Sequence, residues 1–316
     1  PDSRLSVPAL TEKDRRDLEW AIDNNLDYVA LSFVRHPDDL RELRRIIDER
    51  KSKLNVIVKI EKSEALEHLD ELVALSDGVM VARGDLGVEM DVWRVPLVQK
   101  ALTARCREAG KPVIVATQML QSMVSTPTPT RAEVSDVANA IFDATDAVML
   151  SAETASGEYP IEAVEMMRRV AVTTEAYRRG ELRPEPARSV SAHYRSTSAI
   201  ANGAAEVALS LNARLVAVWS TSGETVRLVA SRRLPMPVVG LTHDERVYRQ
   251  LNLLYGVFPL RVPPMRNPIE MAATLDERLV SAGLAGVGDL VVVVTSTNPT
   301  TSGNTDTTLV HRVQAR

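Results

Sequence analysis

One cysteine in 316 residues leaves no internal disulfide and no cysteine-built zinc site. Cys106 falls in the helical stretch Val98–Ala109, where a buried, inert thiol is expected. Aromatic residues are only 4% of the chain, too few for a base-stacking platform. The formal net charge of -4 gives no attraction to nucleic acid or to an anionic membrane. No run approaches the roughly 20 apolar residues of a membrane span. No secretory leader is recognisable, so a cytoplasmic protein is expected. The five histidines (His36, His68, His193, His243 and His311) lack metal-ligand spacing and are expected at the surface or at helix ends.

What is present is charge at the ends of apolar strands. Val56–Glu61 delivers Lys59 and Glu61 two residues apart, on one face of an extended chain. Val79–Gly87 delivers Arg83 and then Asp85 in what reads as a Gly-flanked turn. Two carboxylates and a lysine together can hold a divalent metal and neutralise an anion. That combination points to phosphate or enolate chemistry.

Strands and helices alternate through the first half. The apolar runs Tyr28–Leu31, Asn55–Ile60, Gly78–Ala82, Pro112–Ala116 and Ala147–Leu150 read as strands, each followed by a helical pattern. Pro37 marks one helix start, Ser63 is placed to cap another, and Thr130–Glu133 has capping-box spacing. Almost fully apolar strands about thirty residues apart imply a parallel sheet covered by helices. Polar candidates follow nearly every strand: Ser32 and Arg35, Lys59 and Glu61, Arg83 and Asp85, Thr117 and Gln118, Ser151 and Glu153. Five successive strands feeding one site is barrel behaviour, whereas an open sheet gathers its site at one switch point. The expected fold is therefore α/β: a (β/α)8 TIM-type barrel, about five βα units of it in this chain, over residues 1–182. A Pro-containing linker at 183–192 and a smaller α/β sheet domain at 193–316 follow.

The chain resembles the pyruvate kinase family. The ordered segments Leu31–Arg35, Val58–Glu61, Met80–Gly87, Gly110–Val113, Ala116–Leu120, Pro129–Glu133 and Met149–Thr154 carry the resemblance, and the last domain matches more loosely. The resemblance implies a glycolytic phosphotransferase that moves a phosphoryl group from phosphoenolpyruvate to ADP, giving pyruvate and ATP, with Mg2+ or Mn2+ and often K+. It implies Glu61 and Asp85 as metal ligands and Lys59 beside the transferring phosphoryl group. Gly84 and the Asp85 amide would meet the substrate carboxylate, and Thr117 would lie near the enolate carbon, relaying a proton. Ser32 and Phe33 would wall the pocket, Ser151 and Glu153 would line the same face, and Arg83 would organise the site by salt bridging. A phosphate-bearing effector, a sugar phosphate or AMP, would meet Ser220, Thr221, Ser222, Gly223 and Thr225, although Glu224 there repels anions. Ser302–Thr308 would form the other side of that pocket. A homotetramer is the implied assembly.

The family's first three barrel strands, its lid domain and its K+ ligands have no counterpart here, and Ser3–Thr11 resembles the return from the lid. The expectation is a C-terminal part of a longer enzyme, with little or no phosphoryl transfer by itself. Two alternatives stand beside it. One is a metal-dependent enolate lyase or aldolase barrel, marked by C–C cleavage without nucleotide. The other is a non-catalytic remnant that keeps effector binding.

Overall fold

A computed structural model of the chain describes residues 9–178, 195–264, 268–297 and 305–315. The expected linker and residues 3–8 and 302–304 lie outside the described residues. The chain divides into two compact units, Pro1–Glu181 and Leu182–Arg316.

In the first unit the strands β1 (Tyr28–Leu31), β2 (Asn55–Ile60), β3 (Gly78–Ala82), β4 (Val113–Ala116) and β5 (Ala147–Met149) form one all-parallel sheet in sequence order. The helices are α1 (Glu12–Asp23), α2 (Pro37–Glu49), α3 (Ser63–Glu67), α4 (Leu69–Leu75), α5 (Arg83–Glu89), α6 (Val95–Glu108), α7 (Arg131–Phe142), α8 (Ala152–Ala155) and α9 (Pro160–Arg178). An order that never reverses has no switch point. Right-handed crossovers then carry every connection to the same face, which is an arc of a barrel and not a doubly wound sheet.

Alternation sorts the strand residues. Val56, Val58, Ile60, Val79, Val81 and Val113 pack in one core with Leu40, Leu43, Leu72, Leu102 and Cys106 from the helices. Ile57, Lys59, Met80 and Ile114 take the opposite face. At the sheet's other end, aspartates just before β3 and β5 fasten neighbouring strands. Asp77 accepts from Val56 N at 2.8 Å and from Arg44 at 2.6 Å, and Asp146 accepts from Val113 N at 3.0 Å.

Several local readings are corrected. The segment opening at Arg83 is not a turn but the first turn of α5, because neither Gly84 nor Gly87 needs a positive φ and the amide of Met90 reaches Leu86 O. Ser63 does not cap: Lys62 holds the cap position without a side-chain bond, and the helix breaks at His68 into α3 and α4. α1 begins with a capping box between Thr11 and Asp14, a signal hidden by its charge-rich sequence.

The second unit is a separate sheet in the order β10–β9–β6–β7–β8, where β6 is Leu215–Trp219, β7 Val238–Thr242, β8 Val257–Arg261, β9 Leu290–Thr295 and β10 Thr307–Arg312. Only β10 runs antiparallel. Helices α10 (Arg195–Ser210), α11 (Glu224–Ala230), α12 (Glu245–Gln250) and α13 (Pro268–Ser281) complete it. One face packs Val216, Val218 and Val292 on Ala201, Ala205 and Val229. The other packs Leu215, Ala217 and Val291 on Leu275 and Leu279. The chain reverses between β6 and β9, so the crevice beyond β6 is the switch point of this sheet. His311 is neither a surface nor a helix-end residue: it sits on β10 with Nε2 2.6 Å from Oδ1 of the buried Asp276.

Candidate active site

Register sets the height of each functional side chain. Leu31 pairs with Val58, which brings Ser32 level with Lys59. Ile60 pairs with Val81, and Ala82 with Ala116, so Glu61, Arg83 and Thr117 emerge together at the carboxyl ends of β2, β3 and β4.

Glu61 is the most enclosed of them, at 1% exposure. Its Oε1 lies 2.5 Å from Lys59 Nζ, and its Oε2 accepts from the Phe33 amide at 2.8 Å. Phe33 turns that amide inward by adopting φ of 57°, while its ring is exposed. Lys59 also donates to Ser32 Oγ at 2.9 Å. An ammonium has three N–H groups, so one remains for an incoming anion.

The second half of the site centres on Thr117. Its Oγ1 accepts from Gly84 N at 2.8 Å, which leaves the hydroxyl hydrogen free to donate elsewhere. Gly84 permits this approach: a Cβ there would stand 3.2 Å from Thr117 Oγ1. Arg83 donates to both oxygens of Asp136 at 2.6 Å and to Thr117 O at 2.7 Å, and lies against Met119 Sδ. Arg83 is therefore held by the protein through Asp136 and the Thr117 carbonyl. Glu153 is fully buried and accepts from Leu120 N at 3.1 Å and Ser151 N at 2.7 Å, tying the loops after β4 and β5 together. Glu133 accepts from Ser122 N and Oγ at 2.6 and 2.5 Å. Burial alone would raise its carboxyl, but the hydrogen bonds from Ser122 and Thr130 prevail and hold it below its ordinary range.

Asp136 and Met119 are the site residues that sequence reasoning missed. Asp136 was within reach, since it follows Glu133 by three positions and so shares a helix face with a residue already singled out.

Asp85 is exposed on the first turn of α5, and its side chain forms no hydrogen bond or ion pair with another described residue. Among the described residues, no three His, Cys, Asp or Glu side chains gather as a metal cage. Mg2+ does not need one: it binds through one or two carboxylates and completes its shell with water and substrate oxygens. The hard-oxygen pair Glu61 and Asp85 fits that habit, with Lys59 standing as Glu61's counter-charge.

In the second unit, the residues expected to meet an effector lie in the loop after β6 and at the start of α11. Ser220 is buried and accepts from Gly223 N at 2.9 Å, and Thr225 Oγ1 lies 2.6 Å from Thr305 Oγ1. Gly223, with φ of 82°, opens α11. Thr221 and Ser222 are exposed, and Glu224 is paired with Arg227.

The Pyruvate kinase, barrel domain family matches residues 1–164, and the Pyruvate kinase, alpha/beta domain family matches residues 198–311. A pyruvate kinase of Agrobacterium vitis is 45% identical over 97% of this chain and 64% of its own length. One of Geobacillus stearothermophilus is 42% identical over 98% of this chain and 53% of its own, and one of Staphylococcus aureus (strain MRSA252) 40% identical over 99% and 53%. The chain thus spans between about half and two thirds of the length of these relatives.

Proposed function

Since the chain belongs to the pyruvate kinase family, we propose that its first unit carries the metal, lysine and enolate side of a site moving a phosphoryl group between phosphoenolpyruvate and ADP. The observation that carries this reading is the placement of Lys59 and Glu61 at the carboxyl end of β2 and of Thr117 at the carboxyl end of β4, with Gly84 following β3 between them and donating to Thr117, each side chain already fixed by a hydrogen bond or ion pair.

In this reading Lys59 turns its remaining N–H toward the phosphoryl group and the oxygen it leaves, offsetting charge where it develops. Glu61 and Asp85 would hold a divalent ion, which would supply Lewis-acid neutralisation of developing negative charge. The Asp85 amide and the Thr117 hydroxyl receive the substrate carboxylate, and Gly84 keeps the backbone close. As the P–O bond breaks, the enolate takes a proton at its methylene carbon, and the Thr117 hydroxyl passes it from water. Ser32 holds Lys59 in place, Phe33 holds Glu61, and Arg83 holds the Thr117 backbone. Glu153 and Ser151 support the loop behind it.

Effector phosphate binding is proposed at Thr221 and Ser222, at the switch point of the second sheet. The inward-turned Ser220 and Thr225 shape the loop there. Assembly as a homotetramer is proposed from the family, and an exposed apolar row running from α5 (Val88) through the 3-10 turn Val92–Arg94 (Val92, Trp93) to α6 (Leu97) offers a surface for association. The substrates of this reaction are cytoplasmic metabolites, and the cytoplasm is the compartment proposed.

The test is calorimetric titration of oxalate, a planar stand-in for the enolate, with and without Mn2+. Binding that needs Mn2+ and fails in Glu61→Gln and Asp85→Asn supports the reading. Binding that ignores Mn2+, or no binding, overturns it.

A further inference from the structure

The loop leaving β4 has two successive residues in the left-handed region, Thr117 with φ of 71° and Gln118 with φ of 55°. A β-branched residue avoids that conformation, and it persists only where the surroundings enforce it. Three carboxylates fasten this loop. Glu133 holds Ser122, and Glu153 holds Leu120. Only the third connection reaches Thr117 itself, and it is indirect: Asp136 binds Nη1 of Arg83 with both oxygens at 2.6 Å, and Nη2 of Arg83 donates to the Thr117 carbonyl at 2.7 Å.

A guanidinium is planar and rigid. With Nη1 fixed by one carboxylate, the direction of Nη2 is fixed as well. The Arg83 side chain is only 10% exposed, so little water competes for its N–H groups. Asp136 itself is 38% exposed, beside a cleft of about 480 Å3 that Arg83, Gly84 and Gln118 also line. Exchanging its charge for an amide leaves the nearly buried Arg83 guanidinium without its counter-charge, so Asp136→Asn also carries a cost in stability, and Arg83→Lys, which keeps both charges, is read beside it.

The geometry points to Asp136 as a positioning residue: by orienting Arg83 it keeps Thr117 left-handed, and so sets where the Thr117 hydroxyl stands against the Gly84 amide. It touches no substrate. This inference rests on the proposed role of Thr117 beside the enolate carbon. A purely structural ion pair would instead contribute to stability and leave the Thr117 backbone indifferent to its loss.

The variants Asp136→Asn, Asp136→Glu and Arg83→Lys separate the two. In the full chain, the Cα and Cβ chemical shifts of Thr117 and Gln118 report their φ, and the exchange rate of the Gly84 amide reports its bond to Thr117 Oγ1. Asp136→Asn is expected to move the Thr117 shifts off their left-handed values. It should speed Gly84 exchange about tenfold or more while the β4 amides stay protected. Asp136→Glu should restore most of both. Arg83→Lys, which keeps the charge and loses the fork, should reproduce the defect and serves if Asp136→Asn does not fold. With Mg2+, deuterium exchange into the methyl group of pyruvate should fall about tenfold or more in Asp136→Asn, with oxalate affinity changed less than about threefold.

Unchanged Thr117 shifts and Gly84 exchange in Asp136→Asn would overturn the inference. A wild-type chain that neither binds oxalate nor exchanges pyruvate would sink the functional reading alone, since the shifts and the Gly84 amide still judge the positioning.

Discussion

Lys59 on β2 and Glu61, one residue past its end, stand with Nζ and Oε1 2.5 Å apart, and the carboxylate has almost no exposure of its own. The lysine is thus the resident counter-charge of a buried anion. Removing one member of such a pair leaves the other unneutralised. Lys59→Met should cost about 1–3 kcal/mol in urea unfolding, less than a fully buried pair because Lys59 is one quarter exposed. A divalent ion on Glu61 would replace the lost charge. Mn2+ should therefore raise the stability of Lys59→Met more than that of the wild type, by the linkage of a ligand that binds only the folded state. Equal shifts in the two proteins would remove Glu61 from the metal site.

Gly84 offers a separation of stability from function. It lies inside α5, where alanine is favoured over glycine by about 1 kcal/mol. Yet the added Cβ would press on Thr117 Oγ1 from 3.2 Å. Gly84→Ala should unfold at the same or a slightly higher temperature while oxalate affinity in Mn2+ falls about tenfold. A parallel loss of both would mean that the glycine serves the helix and not the site.

Glu133 gives a pH signature. Its pKa is lowered from 4.5 in the folded state, so its contribution is fully present above about that pH and is lost as pH falls through the lowered value. Exchange of the Ser122 amide should quicken on acidification in that window before the β4 amides respond. In Glu133→Gln the amide should exchange fast at neutral pH, with no further step.

Cys106 packs at 0% exposure between helices and sheet, and burial pushes its thiol far above its ordinary value. It should stay unreactive toward a disulfide reagent at neutral pH until the first unit opens. Labelling in urea should then track the loss of helix signal. Rapid labelling without urea would contradict this packing.

The strands were legible because β-branched runs such as Val56–Val58 and Val291–Val294 have few other uses. Tyr28–Leu31, Asn55–Ile60 and Gly78–Ala82 begin and end where the pattern predicts. β10 was not legible, since Thr307–Arg312 is an edge strand whose partner lies across a connection that sequence cannot close. α1 hid among charges, with only Leu18 and Ala21 buried along it. At the site, residue types and their order were readable from motifs. Their through-space links were not: nothing in the sequence says that Phe33 presents its amide to Glu61, or that Arg83 reaches Asp136 fifty-three positions away.

The two sheets also differ in when they can assemble. In the first unit each strand from β2 to β5 pairs with the one just before it in sequence, so each of these βα units emerging from the ribosome finds its neighbour already made. The second sheet breaks this order at β9. β6 lies beside β9, with β7 and β8 intervening in sequence, and β10 must then fold back along β9. The flank of β6 that β9 covers stays open through most of that unit's synthesis, which makes it the stretch where a co-translational chaperone has the longest opportunity to act.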